Sequence, residues 1–128
     1  MKLLYLTPLD AETQLAQGID HPCPVAIADK VRFSELDLLN HVNNKAYLGW
    51  FESTRVTYFD THCARHFSGG PMPRTVMRNS NVHYLKEMLL GESYISTARV
   101  LSFRNTSYVM EQQIWSGYLR TRLEAMMV

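Results

Sequence analysis

The stretch from Val31 to Leu48 contains the residue types best suited to hydrolysis, arranged around the predicted start of a helix. Asp37 lies in a polar loop, and the adjacent Asn43 and Asn44 are good N-cap residues for the segment that follows. The first N–H groups of a helix have no intrahelical acceptor and lie at the positive end of the helix dipole. A carbonyl oxygen that gains negative charge in a transition state is stabilised there. A carboxylate a few residues upstream can act as a nucleophile or as a general base for water.

The same residues also have ordinary structural interpretations. Asp37 can form an Asx-turn, in which its side chain accepts a hydrogen bond from the backbone, and Asn43 or Asn44 can simply cap the helix. Local chemistry alone leaves both interpretations open.

The elements that must position this loop follow from the periodicity of the sequence. Apolar residues share one parity from Val25 to Phe33, which predicts a half-buried strand before the loop. The segment from Asn43 to His66 is the long helical candidate, because aromatic and small residues recur on a broad face at helical spacing. Gly69-Gly70-Pro71 predicts its end. Four further strands are predicted, over Thr75–Leu85, Glu92–Phe103, Tyr108–Trp115 and Tyr118–Val128.

This order of elements predicts an α+β domain, in which one long helix packs against a curved antiparallel sheet of about five strands. A chain of 128 residues with 46% hydrophobic and 20% charged residues can form a substantial core. We expect residues 1–128 to form a single domain, with residues 1–22 as a loosely attached arm that contains about one helical turn.

Composition excludes several classes of function. The formal net charge is +1 and no run of Lys or Arg is present, so nothing favours nucleic acid binding. No apolar stretch approaches the roughly 18–20 residues that cross a bilayer. Pro8 and Asp10 follow the short apolar start too soon for a secretory leader. Two cysteines, Cys23 and Cys63, do not define a disulfide framework, so we expect a cytoplasmic protein.

The run from Asp37 to Leu48, D-L-L-N-H-V-N-N-K-A-Y-L, resembles a known family signature. It is similar to D-x-x-G-H-V-N-N-x-x-Y-L of the 4-hydroxybenzoyl-CoA thioesterase-like branch of the hotdog superfamily. The run from Phe51 to Arg55 continues the likeness. Residues 25–128 agree in element order, while residues 31–55 carry the specific identities. The resemblance implies the hotdog fold and acyl-CoA thioesterase activity.

The resemblance also implies a role for each matching residue of the loop. Asp37 occupies the position of the family's carboxylate, which acts as a nucleophile in some members and a general base in others. Backbone N–H groups around Val42, Asn43 and Asn44 would polarise the thioester carbonyl. His41 beside them would help to orient the substrate.

Further implications of the resemblance concern the pocket and the assembly. Tyr47 and Phe51 would point toward the acyl pocket or toward the sheet that forms its wall. Thioesters of coenzyme A or of an acyl-carrier protein would be the substrates. Family members are usually homodimers or homotetramers with sites at the subunit interface, and they use no metal or organic cofactor.

One position departs from the signature, because Asn40 stands where the family commonly has Gly before the His. Asn is the non-Gly residue that best tolerates the left-handed backbone region, so we expect the turn to persist. Any other conformation of Asn40 would misplace Asp37 relative to the start of the helix.

Two other side chains near the loop have suitable chemistry. An imidazole such as His41 can act as a general base near neutral pH, although a structural or substrate-orienting role suits a helix entrance better. Glu52 could act from a buried face of the helix, whereas exposure or pairing with Arg55 would exclude it.

The end of the helical segment contains a second group of reactive residues. His62 and His66 have a metal-binding spacing, yet no acidic base or third ligand accompanies them, so we predict no metal site. Cys63 lies between them without a nucleophile motif. Gly69-Gly70 lacks the Lys-Ser/Thr of a phosphate-binding loop.

Two other functions fit the same fold. A dehydratase or hydratase of acyl thioesters would need a His paired with an acid, and no such pattern surrounds His41 or His83. A non-catalytic module that binds acyl-CoA or acyl-carrier thioesters would keep the pocket without hydrolysis. The Asn40 substitution is the feature that favours this second alternative.

Overall fold

The segments that alternate in polarity form strands, and all five predicted strands are present in the computed structural model, which describes residues 3–64 and 75–128. Their bounds are β1 Val25–Lys30, β2 Met77–Tyr84, β3 Ser93–Phe103, β4 Tyr108–Ser116 and β5 Tyr118–Met127. All neighbouring strands pair antiparallel in one curved sheet with the order β1-β3-β4-β5-β2. β1 ends before Phe33, its predicted end, because Phe33–Glu35 forms a short 3₁₀ turn.

The predicted long helix begins one residue later than expected, because Asn43 caps it from outside. Helix α2 spans Asn44–Tyr58 and continues as a turn of wider, π-type helix over Phe59–Cys63. The predicted end at His66 and the break at Gly69-Gly70-Pro71 lie outside the described residues. Within the described part of the chain, no helix has the length and apolar character needed to cross a membrane.

One face of α2 is buried against the sheet. The aromatic residues predicted to share that face, Tyr47, Trp50 and Phe51, are buried together with Thr54. The sheet contributes apolar side chains to the same core, among them Ala98, Met110, Ile114, Leu123 and Ala125. One long helix wrapped by a five-stranded antiparallel sheet is the hotdog fold, which confirms the fold predicted from the sequence.

Polar contacts fix α2 in one rotation on the sheet. The hydroxyls of Thr54 and Ser96 are hydrogen bonded at 2.6 Å between the helix and β3. Gln112 of β4 donates to the Phe51 carbonyl at 2.8 Å and accepts from the Arg55 guanidinium at 2.8 Å. Hydrogen bonds in a water-excluded interior are directional, so they set the angle at which the helix start presents its N–H groups.

The N-terminal segment is attached more firmly than the sequence suggested. The Leu6 N–H donates to the Ala28 carbonyl at 2.8 Å, on the outer edge of β1. The Leu9 N–H donates to the Ala26 carbonyl at 2.9 Å. The segment therefore satisfies backbone groups of β1 that would otherwise face solvent at the edge of the sheet.

The same segment covers the face of the sheet opposite α2. Its short helix α1, Ala11–Ala16, carries a fully buried Gln14. The Gln14 side chain accepts from the Cys23 N–H at 2.7 Å and donates to the carbonyls of Leu9 and Cys23 at 3.1 and 3.0 Å. Ile19 packs with residues of the outer sheet face, namely Ala26, Ala28, Ile95 and Trp115. The middle of β1 and the first half of β3 are consequently buried on both faces.

Candidate active site

The loop between β1 and α2 closes into a tight turn around Asp37. The Asp37 N–H donates to the His41 carbonyl at 2.7 Å, and the Asn40 N–H donates to the Asp37 carbonyl at 3.1 Å. Asn40 has a φ of 61°, in the left-handed region. A glycine adopts that region readily, so Asn40 reproduces the turn that the family signature builds with Gly. The prediction that Asn40 preserves the turn is confirmed.

The Asp37 carboxylate uses one of its two oxygens inside the turn. Oδ1 accepts hydrogen bonds from the Leu39 N–H at 2.8 Å and the His41 N–H at 3.1 Å. Asp37 therefore does form the Asx-turn that local chemistry allowed. The side chain is exposed, and its Oδ2 accepts no hydrogen bond from residues 3–64 or 75–128. One oxygen is thus fixed by the backbone while the other is open to a ligand.

Among the residues that the structure describes, two N–H groups at the start of α2 have no hydrogen-bond acceptor. Asn43 is the N-cap, and its Oδ1 accepts from the Ala46 N–H at 2.8 Å. The N–H groups of Val42 and Asn43 already donate to carbonyls of neighbouring loops, at 2.9 and 2.8 Å. The N–H groups of Asn44 and Lys45, the first two helical residues, have no intrahelical acceptor. The candidate donors to a substrate oxygen are therefore Asn44 and Lys45, whereas the sequence pointed to Val42, Asn43 and Asn44.

The turn and the helix start line one open cleft of about 430 Å³. Its lining residues are Leu36, Asp37, Leu38, Asn43, Asn44 and Lys45. Asp37 and the first two residues of α2 therefore border one space, and Lys45 adds a positively charged residue to its wall. A reacting group in this cleft would meet a base or nucleophile and a set of hydrogen-bond donors together.

The structure gives the side chains of His41 and Glu52 no place in this cleft. His41 is partly buried, and both its backbone N–H and its carbonyl are used in the Asp37 turn. Glu52 is exposed on α2. The Arg55 guanidinium turns instead to Gln112 of the sheet, and burial lowers the Arg55 pKa from its ordinary value.

The two residues predicted to shape an acyl pocket lie beneath the helix. Tyr47 and Phe51 are 3% and 0% exposed, and neither lines the cleft. The Tyr47 ring meets Trp50 and Tyr84 edge-on, with centroids 5.2 and 5.4 Å apart. Burial raises the pKa of the Tyr47 hydroxyl. Tyr84 is half exposed on the edge strand β2, so the buried Tyr47 ring contacts a ring that reaches the surface. Phe51, in contrast, is enclosed in the core.

Glu35 is a residue of this site that the sequence reasoning passed over. Its Oε1 accepts from the Arg32 N–H at 2.8 Å, and its Oε2 accepts from the Trp50 indole N–H at 2.6 Å. Its carbonyl accepts from the Asn43 N–H at 2.8 Å. A buried indole N–H requires an acceptor, so the need of Trp50 for a partner was the available signal.

The His62 to His66 cluster shows no metal-binding arrangement in the part that the structure describes. The His62 Nε2 lies 3.2 Å from the Pro24 carbonyl oxygen, and His66 lies outside the described residues. Within residues 3–64 and 75–128, no three His, Cys, Asp or Glu side chains are grouped so that they could hold a metal ion.

Known proteins resemble this chain in fold and in sequence. Residues 31–128 match the family model of the thioesterase-like superfamily. A thioesterase-superfamily structure from Jannaschia sp. CCS1 is 42% identical, with a TM-score of 0.86, over 98% of this chain and 80% of that chain. A thioesterase from Thermus thermophilus, solved in complex with coenzyme A and Zn, is 29% identical, with a TM-score of 0.73 and 84% of each chain covered. The uncharacterized protein YsmA of Bacillus subtilis is 29% identical over 87 residues, and the match spans 66% of this chain but only 58% of YsmA. The chain belongs to the thioesterase-like superfamily.

Proposed function

We propose that this protein hydrolyses an acyl thioester of coenzyme A or of an acyl-carrier protein to a carboxylic acid and a free thiol. One observation carries the proposal: Asp37 lines the same cleft as Asn44 and Lys45, the two residues whose N–H groups begin α2. Membership of the thioesterase-like superfamily supports a thioester substrate. The coenzyme A bound to the T. thermophilus relative supports a coenzyme A thioester in particular.

The helix start would hold the carbonyl oxygen of the thioester. The N–H groups of Asn44 and Lys45 lie at the positive end of the helix dipole, where they stabilise the negative charge that develops as the carbonyl carbon becomes tetrahedral. Both donors are backbone groups of a helix capped by Asn43. They consequently need little reorganisation when the charge forms.

Asp37 would supply the attack on the carbonyl carbon. Because Oδ1 is held by two backbone N–H groups, Oδ2 has a defined direction. Oδ2 either bonds to the carbonyl carbon, giving an anhydride that water then hydrolyses, or removes a proton from a water molecule that attacks. In both routes the C–S bond breaks and the oxygen of one water molecule ends in the carboxylate product. One of the two protons of that water ends on the leaving sulfur as a thiol, and the other passes to solvent.

The surroundings of the cleft suggest where the two ends of the substrate lie. The acyl group would extend toward the β2 edge, where the half-exposed Tyr84 contacts Tyr47. Lys45 brings a positive charge to the cleft wall, where it would attract the phosphates of coenzyme A. Phe51 would act behind this pocket as part of the core.

We also propose that two copies of the chain pair through β2 into a homodimer, and a homotetramer would need a second surface besides β2. Within residues 3–64 and 75–128, β2 has one strand neighbour, and six of its eight residues are exposed. Unpaired N–H and C=O groups of an edge strand are a ready template for another strand. Pairing of β2 with its copy would bring a second chain beside Tyr84. A solution mass of 14.8 kDa by light scattering would contradict this assembly.

Thiol release from a panel of short-chain, long-chain and aromatic acyl-CoAs tests the proposed activity. We expect the wild type to hydrolyse at least one member and Asp37→Asn to lose about a hundredfold or more in kcat, the size expected for a general base or nucleophile. Asp60→Asn is the matched control, because Asp60 is exposed beyond the far end of α2. Equal activity of wild type and Asp37→Asn would refute the role of Asp37. Tight binding of intact acyl-CoA without turnover would instead establish the binding module.

A further inference from the structure

Glu35 joins three parts of the site through hydrogen bonds. Its carboxylate binds the Arg32 N–H at the entrance of the loop and the Trp50 indole two turns along α2, at 2.8 and 2.6 Å. Its carbonyl binds the N–H of the N-cap residue Asn43 at 2.8 Å. Asp37 lies only two residues further along the chain.

We propose that Glu35 is a positioning residue, which sets the Asp37 turn against the start of α2 by anchoring the loop to the Trp50 indole. The inference rests on the proposed thioester hydrolysis, because it assigns Glu35 a role in placing Asp37 for that reaction. Glu35 does not line the cleft and does not contact the reacting atoms.

The Trp50 end of the anchor is rigid. Trp50 is 8% exposed, and its ring stacks on Tyr94 of β3 with centroids 3.9 Å apart. The indole N–H therefore projects from a fixed ring toward the loop. A hydrogen bond from an N–H to a carboxylate is shorter and stronger than one between neutral groups, and the distance of 2.6 Å is short for an N–H donor.

The loop end of the anchor is supported in part by other contacts. Leu36 packs against the core, and the Val42 N–H donates to the Met88 carbonyl at 2.9 Å. The Asp37 turn itself is closed by hydrogen bonds among its own residues, and Phe33 and Leu38 on either side are exposed. Glu35 supplies contacts from this loop to the helix and to its cap. A displacement of about 1 Å in a reacting group can cost about a hundredfold in rate.

Trp50→Phe is the cleanest test, because it removes the indole N–H and keeps an aromatic ring against Tyr94. Glu35→Gln removes the charge and one of the two acceptors. We expect each variant to lower kcat by about tenfold to a hundredfold while KM changes by less than about threefold, because the substrate still enters a cleft whose base is misplaced. The loss in the double variant should be smaller than the product of the two single losses, since both changes act on the hydrogen bond between Glu35 and Trp50. Glu12→Gln, an exposed carboxylate on α1, is the control and should match wild type.

A second readout follows the hydrogen bond itself. The resonance of the Trp50 indole proton, assigned by its absence in Trp50→Phe, should shift in Glu35→Gln and stay in place in Asp37→Asn. Unchanged kcat in Glu35→Gln and Trp50→Phe would overturn the proposal, and so would additive losses in the double variant. If those two variants are fully active while Asp37→Asn is inactive, only the positioning role fails. If the wild type hydrolyses nothing, the proposed function fails and the positioning role with it.

Discussion

Asn40 lies in a backbone conformation that few residue types adopt without a cost in stability. Asn40 has a φ of 61° and an exposed side chain. In the left-handed region a Cβ approaches the following carbonyl oxygen, which costs about 1–2 kcal/mol for most residues and less for Asn. Asn40→Ala should therefore reduce the free energy of unfolding by about 1 kcal/mol. Asn40→Gly should remain within about 0.5 kcal/mol of wild type, because the relieved strain is offset by the greater entropy of the unfolded chain.

Thermal unfolding followed by circular dichroism measures this difference. A change of about 1 kcal/mol shifts Tm by about 4 °C in a domain of this size, which separates Asn40→Ala from Asn40→Gly. Activity should follow the same order, because Ala relieves its strain by leaving the left-handed region and carrying Asp37 with it. We expect Asn40→Ala to lose at least about tenfold in kcat/KM and Asn40→Gly to stay within about twofold, given the sensitivity of rate to placement.

Equal effects of the two substitutions would refute a requirement for a left-handed residue at position 40. If Asn40→Ala is as stable and as active as Asn40→Gly, the turn does not depend on a left-handed residue. The family's Gly would then need another explanation. If Asn40→Gly is inactive although folded, the Asn40 side chain itself acts in the reaction.

Two further predictions concern regions away from the cleft. Burial raises the pKa of Glu111, but hydrogen bonds from Arg99 and Arg122 outweigh it and hold the pKa below the ordinary 4.5. A carboxyl with a lowered folded-state pKa stabilises the protein above its unfolded pKa, and this contribution is lost as pH falls through the folded value. Glu111→Gln should thus lower the free energy of unfolding by about 1–3 kcal/mol at pH 7. In denaturant titrations, the difference in stability between wild type and variant should shrink below about pH 4.5. A difference that does not change with pH would contradict the ion pairs. Gln14→Leu should lower the free energy of unfolding by about 3 kcal/mol or more, since it leaves buried backbone groups without partners. Gln17 is partly exposed, so Gln17→Leu is the control and should change stability little. Similar denaturation midpoints for the two variants would refute the structural role of Gln14.

The sequence predicted the elements of the fold well, for a physical reason. Alternating polarity and an aromatic face at helical spacing are patterns within one segment. Each therefore predicts the secondary structure of that segment without knowledge of its neighbours. The five strands differ from their predicted bounds by a few residues at most. The left-handed conformation of Asn40 was also predicted correctly, because the preference for that conformation is a property of the residue type itself.

Features that depend on long-range packing could not be predicted in the same way. In the last strand the charged residues Arg120, Arg122 and Glu124 share one parity, which is typical of a solvent-facing side, yet Arg120 is buried. A shift in pairing between Ile114 and Trp115 changes the parity there, and the Arg120 guanidinium binds Glu92 at 3.0 Å. Sequence periodicity does not reveal such a bulge, because the extra residue is defined by the partner strand.

The candidate site shows the same division. Asp37 and the helix start were found from residue type and order. The identity of the free N–H donors depended on which carbonyls the neighbouring loops present to Val42 and Asn43. Glu35 was missed for a related reason, since its partner Trp50 lies 15 residues away and on another element.

The N-terminal segment on β1 has a consequence for how large an assembly can grow. A sheet with two open edges can add copies at both ends and polymerise without limit. Here Leu6 and Leu9 occupy the outer edge of β1, so among the described strands β2 is the edge that remains open to pairing between copies. Two chains that join by the same edge consume it in both partners, which closes the pair about a twofold axis and stops elongation. If copies pair through β2, a variant in which the N-terminal segment detaches should expose the β1 edge as well and so become prone to form fibres.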